Sequence, residues 1–254
     1  RCVLQHGAGD GNPLFLAARQ SAAALANHSV IAIRQGRNKV MAASLLRRLD
    51  HLLSPLLGAQ LLEQQRVLED PFALGCLGPQ TAAALMLDPD AHNDVTSRSL
   101  RAGIVVRSRF AEDRLLKAIA LGSRQYAVIG AGLDTWALRA AQALPAIDVF
   151  ELDQPAMQAW KQRVYAENGW ATPARLHWVS ADLREVTVDD ALTQGGVDMS
   201  APTVVSILGV LVYLHPAAVE RTIHALRTLP IGSTLIMDYR LDEQCLPPIE
   251  RTMM

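Results

Sequence analysis

Residues 127–139 read AVIGAGLDTWALR. An apolar run ending in glycines is the pattern of a buried strand meeting a tight turn, and the residues behind it carry a helical pattern. Strand, glycine loop and helix in this order open a nucleotide-binding unit. Gly130 and Gly132 can take backbone angles closed to other residues and let a ligand approach the main chain. A dinucleotide loop would place a third glycine where Thr135 stands, to pack the helix on the strand, and would aim the helix N-terminus at a pyrophosphate. Asp134 puts a carboxylate into that turn, where it would repel a pyrophosphate but could stabilise the helix N-terminus or face a cation. The loop suits a ligand without phosphates.

Outward from the loop, short apolar runs alternate with helical stretches. YAVIGAG, IDVFELD, RLHWVSADL, TVVSILGVLVYL and STLIMDY read as strands, and TWALRAAQAL, QPAMQAWKQRVYAENG and PAAVERTIHALRTL as helices between them. This alternation predicts an α/β fold, a doubly wound, mostly parallel sheet covered on both faces. Upstream, IVVRSRFAEDRLLKAIALG places Phe110, Leu115, Leu116 and Ile119 on one helical face, with Gly122 set to stop the helix. In KVMAASLLRRLDHLLSPLLGAQLLEQQ the helical spacing is interrupted at Ser54-Pro55, while EDPFALGCLGP reads as turn-rich and QTAAALML as a short helix. The expected division is a poorly defined segment 1–38, a helical region 39–100 and an α/β core 101–254.

In an open parallel sheet, ligands sit outside the carboxyl ends of the strands. Glu151 and Asp153, at the end of the second strand, lie 21 and 23 residues beyond Gly130, close to the spacing at which an acid meets ribose hydroxyls. Asp182, in SADLRE, ends the third strand, where it could receive an adenine amino group. Each element also has a plainer reading, as a tight turn or a helix cap. Their occurrence in order along one βαβ run favours a nucleoside ligand.

Half of the 254 residues are apolar, 19% are charged and the net charge is -1, so neither nucleic acid nor a membrane surface is an indicated partner. Cys2, Cys76 and Cys245 form no C-x-x-C pair, and the histidines show no metal-binding spacing, so no metal is expected. The longest apolar run, 203–214, is too short to span a bilayer, and the first residues lack the basic region and apolar core of a leader. These features predict a cytoplasmic protein acting on a small molecule.

RSRFAED, VIGAGLDTWALR, VFELDQP, SADLRE and LGVLVYL, in this order, resemble S-adenosylmethionine-dependent methyltransferases of the leucine carboxyl methyltransferase type, a group that includes polyketide O-methyltransferase-like bacterial proteins. The resemblance covers roughly residues 40–240, and GAGLDT with ELDQP is its most specific part. It implies a class I, Rossmann-like fold with a helical N-terminal lid. It also implies S-adenosyl-L-methionine as cofactor, with Arg107 on the methionine carboxylate and Gly130, Ala131, Gly132 and Asp134 around the methionine portion. Asp153 would take the ribose hydroxyls, with Asp182 and Leu183 at the adenine. A guanidinium binds a carboxylate through two parallel hydrogen bonds, which suits Arg107, although Arg109 is close by and either could face solvent. Leu208 stands where some relatives have glutamate before the Gly-x-x-x-Tyr-Leu run, which points away from the protein-phosphatase carboxyl methyltransferases.

The implied reaction is O-methylation of a carboxylate or hydroxyl by direct in-line transfer, which needs alignment and exclusion of water more than a metal or nucleophile. Tyr213 could orient the acceptor or lie beside the sulfonium. His215, before Pro216, reads as a helix cap or an exposed side chain. Two other readings compete. An NAD(P)-dependent oxidoreductase shares the sheet and the acid, but the third glycine and a Tyr-x-x-x-Lys pair are missing. A non-catalytic interaction protein is the other reading, because methyltransferases of this fold normally add two strands after the fifth and only 15 residues follow Tyr239. An open sheet edge, covered by a partner or a second copy, or a chain that is a fragment, is the corresponding expectation.

Overall fold

Residues 67–239, apart from 89 and 91–93, are described by a computed structural model. Its strands are β1 (Gln125–Ile129), β2 (Asp148–Asp153), β3 (Leu176–Ser180), β4 (Thr203–Ile207) and β5 (Thr234–Met237). They form one sheet in the order β3-β2-β1-β4-β5, every pair parallel. The chain steps outward from β1 through β2 to β3, then crosses back to place β4 on the other side of β1. The loop after β1 therefore opens at the switch point of the sheet.

The helices are α1 (Ala73–Cys76), α2 (Pro79–Leu87), α3 (Val95–Ala120), α4 (Trp136–Ala140), α5 (Pro155–Glu167), α6 (Val188–Gln194) and α7 (Pro216–Leu226), with a 3-10 turn at Leu211–Tyr213. Proline at the first position of α2, α5 and α7 costs no hydrogen bond and presets the helical φ. Successive strand side chains point to opposite faces, so β1 feeds two cores at once. Tyr126 and Val128 join Leu115, Trp136, Val149 and Tyr165 on one face. Ala127 and Ile129 join Phe150, Leu152, Leu192, Val205 and Ile207 on the other. Burial on both sides explains why this strand reads as a continuous apolar run.

Two expectations need correction. The buried side of α3 carries Ile104, Ala111, Leu115 and Ala118, whereas Phe110 and Leu116 are 51% and 44% exposed. The Arg114 guanidinium covers the Phe110 ring at 4.9 Å, so this aromatic packs under a cation at the surface. TVVSILGVLVYL is also not one strand: β4 stops at Ile207, and Gly209, at φ 69°, turns the chain into the 3-10 segment. β5 is an edge strand among the described residues, with Leu235, Met237 and Tyr239 exposed. No helix among the described residues is long and apolar enough to cross a membrane.

The segment before α2 is anchored by packing. Phe72 meets Trp170 edge-on at 5.1 Å, and a Cβ at Gly75 would lie 2.5 Å from Trp170 Cζ2, so the backbone lies directly on the indole. Cys76 is buried here, which pushes its thiol up to about 12 and keeps it unreactive. The predicted lid run LLRRLDHLLSPLL lies outside the described residues. QTAAALML forms α2, where Leu85 packs on Leu77, Leu74 and Ala82 in a small separate cluster.

Beneath α5, Glu151 is fully buried and receives a hydrogen bond from Lys161 Nζ at 2.5 Å. Burial pushes the Glu151 carboxyl up to about 7, against the pull of the Lys161 ammonium. Removing one partner of such a pair strands the other charge. Lys161→Met is expected to lose about 3 to 5 kcal/mol at pH 8, read by urea denaturation. Part of that loss should return at pH 5, where the stranded carboxyl is protonated and buried as a neutral group.

Candidate functional site

A cleft opens at the carboxyl end of β1, lined by the β1–α4 loop, by Arg107, Ser108 and Glu112 of α3, by Leu68 and Asp70, and by Ser206 and Leu208. Its centre is the loop Gly130–Thr135. Gly130 has φ 70°, and a Cβ there would lie 2.3 Å from Val210 Cγ2, so only glycine fits. The Gly130 and Ala131 N–H groups donate to Leu152 O at 2.8 and 3.2 Å. The Gly132 N–H donates to Asp153 Oδ2 at 2.7 Å. Three consecutive loop amides are thus bonded to the end of β2. A phosphate would need such amides turned toward it.

The start of α4 is closed in the same way. Asp134 Oδ1 accepts the Trp136 N–H at 2.7 Å, so this carboxylate, one residue before the N-cap Thr135, takes the first amide of α4, where a dinucleotide fold would hold pyrophosphate. Asp134 thus supports the start of α4 and also lies at the wall of the cleft.

Thr135 is 3% exposed, and its hydroxyl donates to Asp70 Oδ2 at 2.5 Å and accepts from Arg139 Nε at 3.2 Å. Arg139 also donates to Glu112 Oε1 at 2.6 Å. Asp70, Thr135, Arg139 and Glu112 bring the segment before α1, the loop, α4 and α3 to one point. Asp70, Glu112 and Arg139 were not singled out from the sequence, because the bonds Asp70–Thr135 and Glu112–Arg139 span 65 and 27 residues.

Asp153 Oδ2 holds the loop through Gly132, and Oδ1 accepts the Gln154 N–H at 2.7 Å. Burial lifts its carboxyl above the ordinary value, and the two N–H donors oppose that rise. Each oxygen keeps lone-pair capacity for a hydroxyl donor. Glu151, two residues earlier, is buried against Lys161 of α5 and is not among the residues lining the cleft. The Ala181 N–H donates to Asp153 O at 2.9 Å, which sets Asp182 and Leu183 beside Asp153 on the same rim. The Asp182 carboxylate is engaged by Arg184, whose Nε lies 2.8 Å from Oδ1, and Leu183 packs on the second core.

The cleft gathers Arg107, Gly130, Ala131, Gly132 and Asp134, with Asp153 adjoining through Gly132. Tyr213 lies in the 3-10 segment and is not among the residues that line this cleft. Arg109 pairs with Asp113 on the outer side of α3 at 2.6 Å. His215 caps α7, its Nδ1 accepting the Ala217 N–H at 3.3 Å. The lining carries Asp70, Glu112 and Asp134 against Arg107 and Arg139, an excess of negative charge that favours a cationic ligand.

Thr135→Val is expected to cost about 1 to 3 kcal/mol, because it strands an Asp70 oxygen and the Arg139 Nε, whereas Thr135→Ser should stay near the parent. Chemical denaturation of the two variants checks this.

Comparison with known proteins adds to this geometry. The family model of leucine carboxyl methyltransferases matches residues 57–227. A protein of Mycobacterium avium (strain 104) is 38% identical over 140 residues, 54% of this chain and 44% of its own length. One of Bacillus subtilis (strain 168) is 32% identical over 136 residues, 53% of this chain and 44% of its own. One of Parafrankia sp. (strain EAN1pec) is 32% identical over 179 residues, 68% and 56%. All three are named as candidate S-adenosyl-L-methionine-dependent methyltransferases. The chain spans about half the length of these curated relatives. A solved structure described as a candidate methyltransferase of Thermobifida fusca YX covers 79% of this chain and 70% of its own, with 21% identity and a TM-score of 0.47.

Proposed function

We propose, from the premise that the chain belongs to the leucine carboxyl methyltransferase family, that it is an S-adenosyl-L-methionine-dependent methyltransferase acting in the cytoplasm on an oxygen of a small molecule. The observation that carries this reading is the loop whose amides are already bonded to β2. Such a loop has close-approach glycines for a nucleoside amino acid and three amides fewer to offer a pyrophosphate. The negative excess of the cleft suits a sulfonium, and Asp153 suits ribose hydroxyls.

When bound, S-adenosyl-L-methionine supplies an activated methyl group that an acceptor oxygen can take in line with the methyl–sulfur bond. Arg107 would hold the carboxylate of its methionine portion, Gly130 to Gly132 its chain, and Asp153 its ribose. The Asp182–Leu183 turn would border the adenine. The protein's task is to hold the reacting groups in register and keep water out. A carboxylate acceptor is ionised at neutral pH and needs no base, whereas a hydroxyl acceptor would be helped by one.

S-Adenosylhomocysteine is expected to raise the unfolding midpoint of the protein while NADH leaves it unchanged, and Asp153→Ala should abolish the shift. Transfer of a labelled methyl group to a panel of small carboxylic acids and phenols tests the activity itself. Stabilisation by NADH alone, or no transfer to any acceptor despite cofactor binding, would overturn the reading.

A further inference from the structure

Arg107 is not a loose surface side chain. Its Nη1 donates to Asp238 Oδ2 at 2.8 Å, just beyond β5. The other oxygen of Asp238 accepts the Gly209 N–H at 2.7 Å, and the Asp238 N–H donates to Ile207 O at 3.3 Å. One carboxylate therefore ties α3, the turn after β4 and the end of β5. Gly209 completes the arrangement. A Cβ at this residue would lie 2.7 Å from Arg107 Nη2, so the guanidinium rests on bare backbone, and the φ of 69° suits glycine as well.

The way the guanidinium is used is informative. Asp238 takes Nη1, while Nε is shielded from solvent and has no acceptor among the described residues. Nε and Nη2 form the side edge through which a guanidinium grips a carboxylate with two parallel bonds. A second carboxylate on that edge would satisfy the stranded Nε. Arg107 itself lines the cleft beside Gly130 and Gly132.

We propose that Asp238 is a positioning residue for the cofactor carboxylate: it fixes Arg107 through Nη1 and reserves the Nε–Nη2 edge for the ligand. This rests on the methyltransferase reading, in which Arg107 receives the methionine carboxylate. The opposite effect is also physical, since Asp238 is an anion that offsets the Arg107 charge. If that offset prevailed, Asp238 would compete with the ligand and its removal would tighten binding. Geometry favours positioning, because the side chains are about one-third exposed, where screening weakens the offset. Freezing an arginine only on binding costs about tenfold in affinity.

Calorimetric titration of the full chain with S-adenosylhomocysteine and with 5′-methylthioadenosine, which has no carboxylate, separates these effects. Asp238→Asn is expected to weaken S-adenosylhomocysteine about tenfold and leave 5′-methylthioadenosine within twofold, and Asp238→Glu should recover part of the loss. In the double variant with Arg107→Gln, Asp238→Asn should cost nothing beyond Arg107→Gln alone. Equal weakening of both ligands, tighter binding of S-adenosylhomocysteine, no change, or an additive double variant would each overturn the proposal. If Asp238→Asn does not fold, Asp238→Glu decides in the same titration: selective weakening supports positioning, and equal or absent effects overturn it. Wild-type protein that binds neither ligand would instead bring down the methyltransferase reading.

Discussion

The loop after β1 is held by its own amides to the end of β2, and the rest of the site is arranged around that closure. Gly130 and Ala131 bond to Leu152 O, and Gly132 bonds to the Asp153 side chain. Backbone groups in a buried turn need partners, and here they find them within the sheet. The consequence is chemical. With three of its donors already used the loop offers fewer amides to a phosphate, yet its glycines still allow close approach of a ligand chain. Asp153 is both the lock on the loop and the acid available to a ribose.

The second layer of the site makes the closed loop part of a larger unit. Thr135, buried at the start of α4, ties Asp70 to Arg139, and Arg139 reaches Glu112 on α3. Asp70 comes from a segment docked on Trp170, so the region before α1 contributes directly to the cleft wall. On the opposite side Asp238 plays the matching role for Arg107. Each arginine in the cleft is paired with an acid, and the unbalanced charge is negative. In the proposed reaction the sulfonium charge is lost on transfer, so the same acids that favour the cofactor favour its product less.

The α/β architecture was legible because β1 is buried on both faces and therefore reads as an unbroken apolar run. Gly130, Gly132 and Asp153 were legible because a turn at φ 70° and an acid at the end of the next strand leave local signatures. Thr135 was noticed only as a missing glycine, and its role as a tether appears when Asp70 is placed beside it. Asp70, Glu112, Arg139 and Asp238 act through partners far along the chain, which no local pattern encodes. The errors had local causes. Phe110 matched a helical stripe but packs under Arg114, and TVVSILGVLVYL read as one strand although β4 stops at Ile207 and Gly209 turns the chain.

The central claim is that the closed loop and Asp153 form a phosphate-free nucleoside site. A crystal structure of the protein grown with S-adenosylhomocysteine tests it most directly. The expected result is ribose hydroxyls on Asp153, the ligand carboxylate on Arg107, and the Gly130 and Ala131 amides still bonded to Leu152 O. A ligand bound elsewhere, or loop amides released from β2 and turned toward it, would contradict the account.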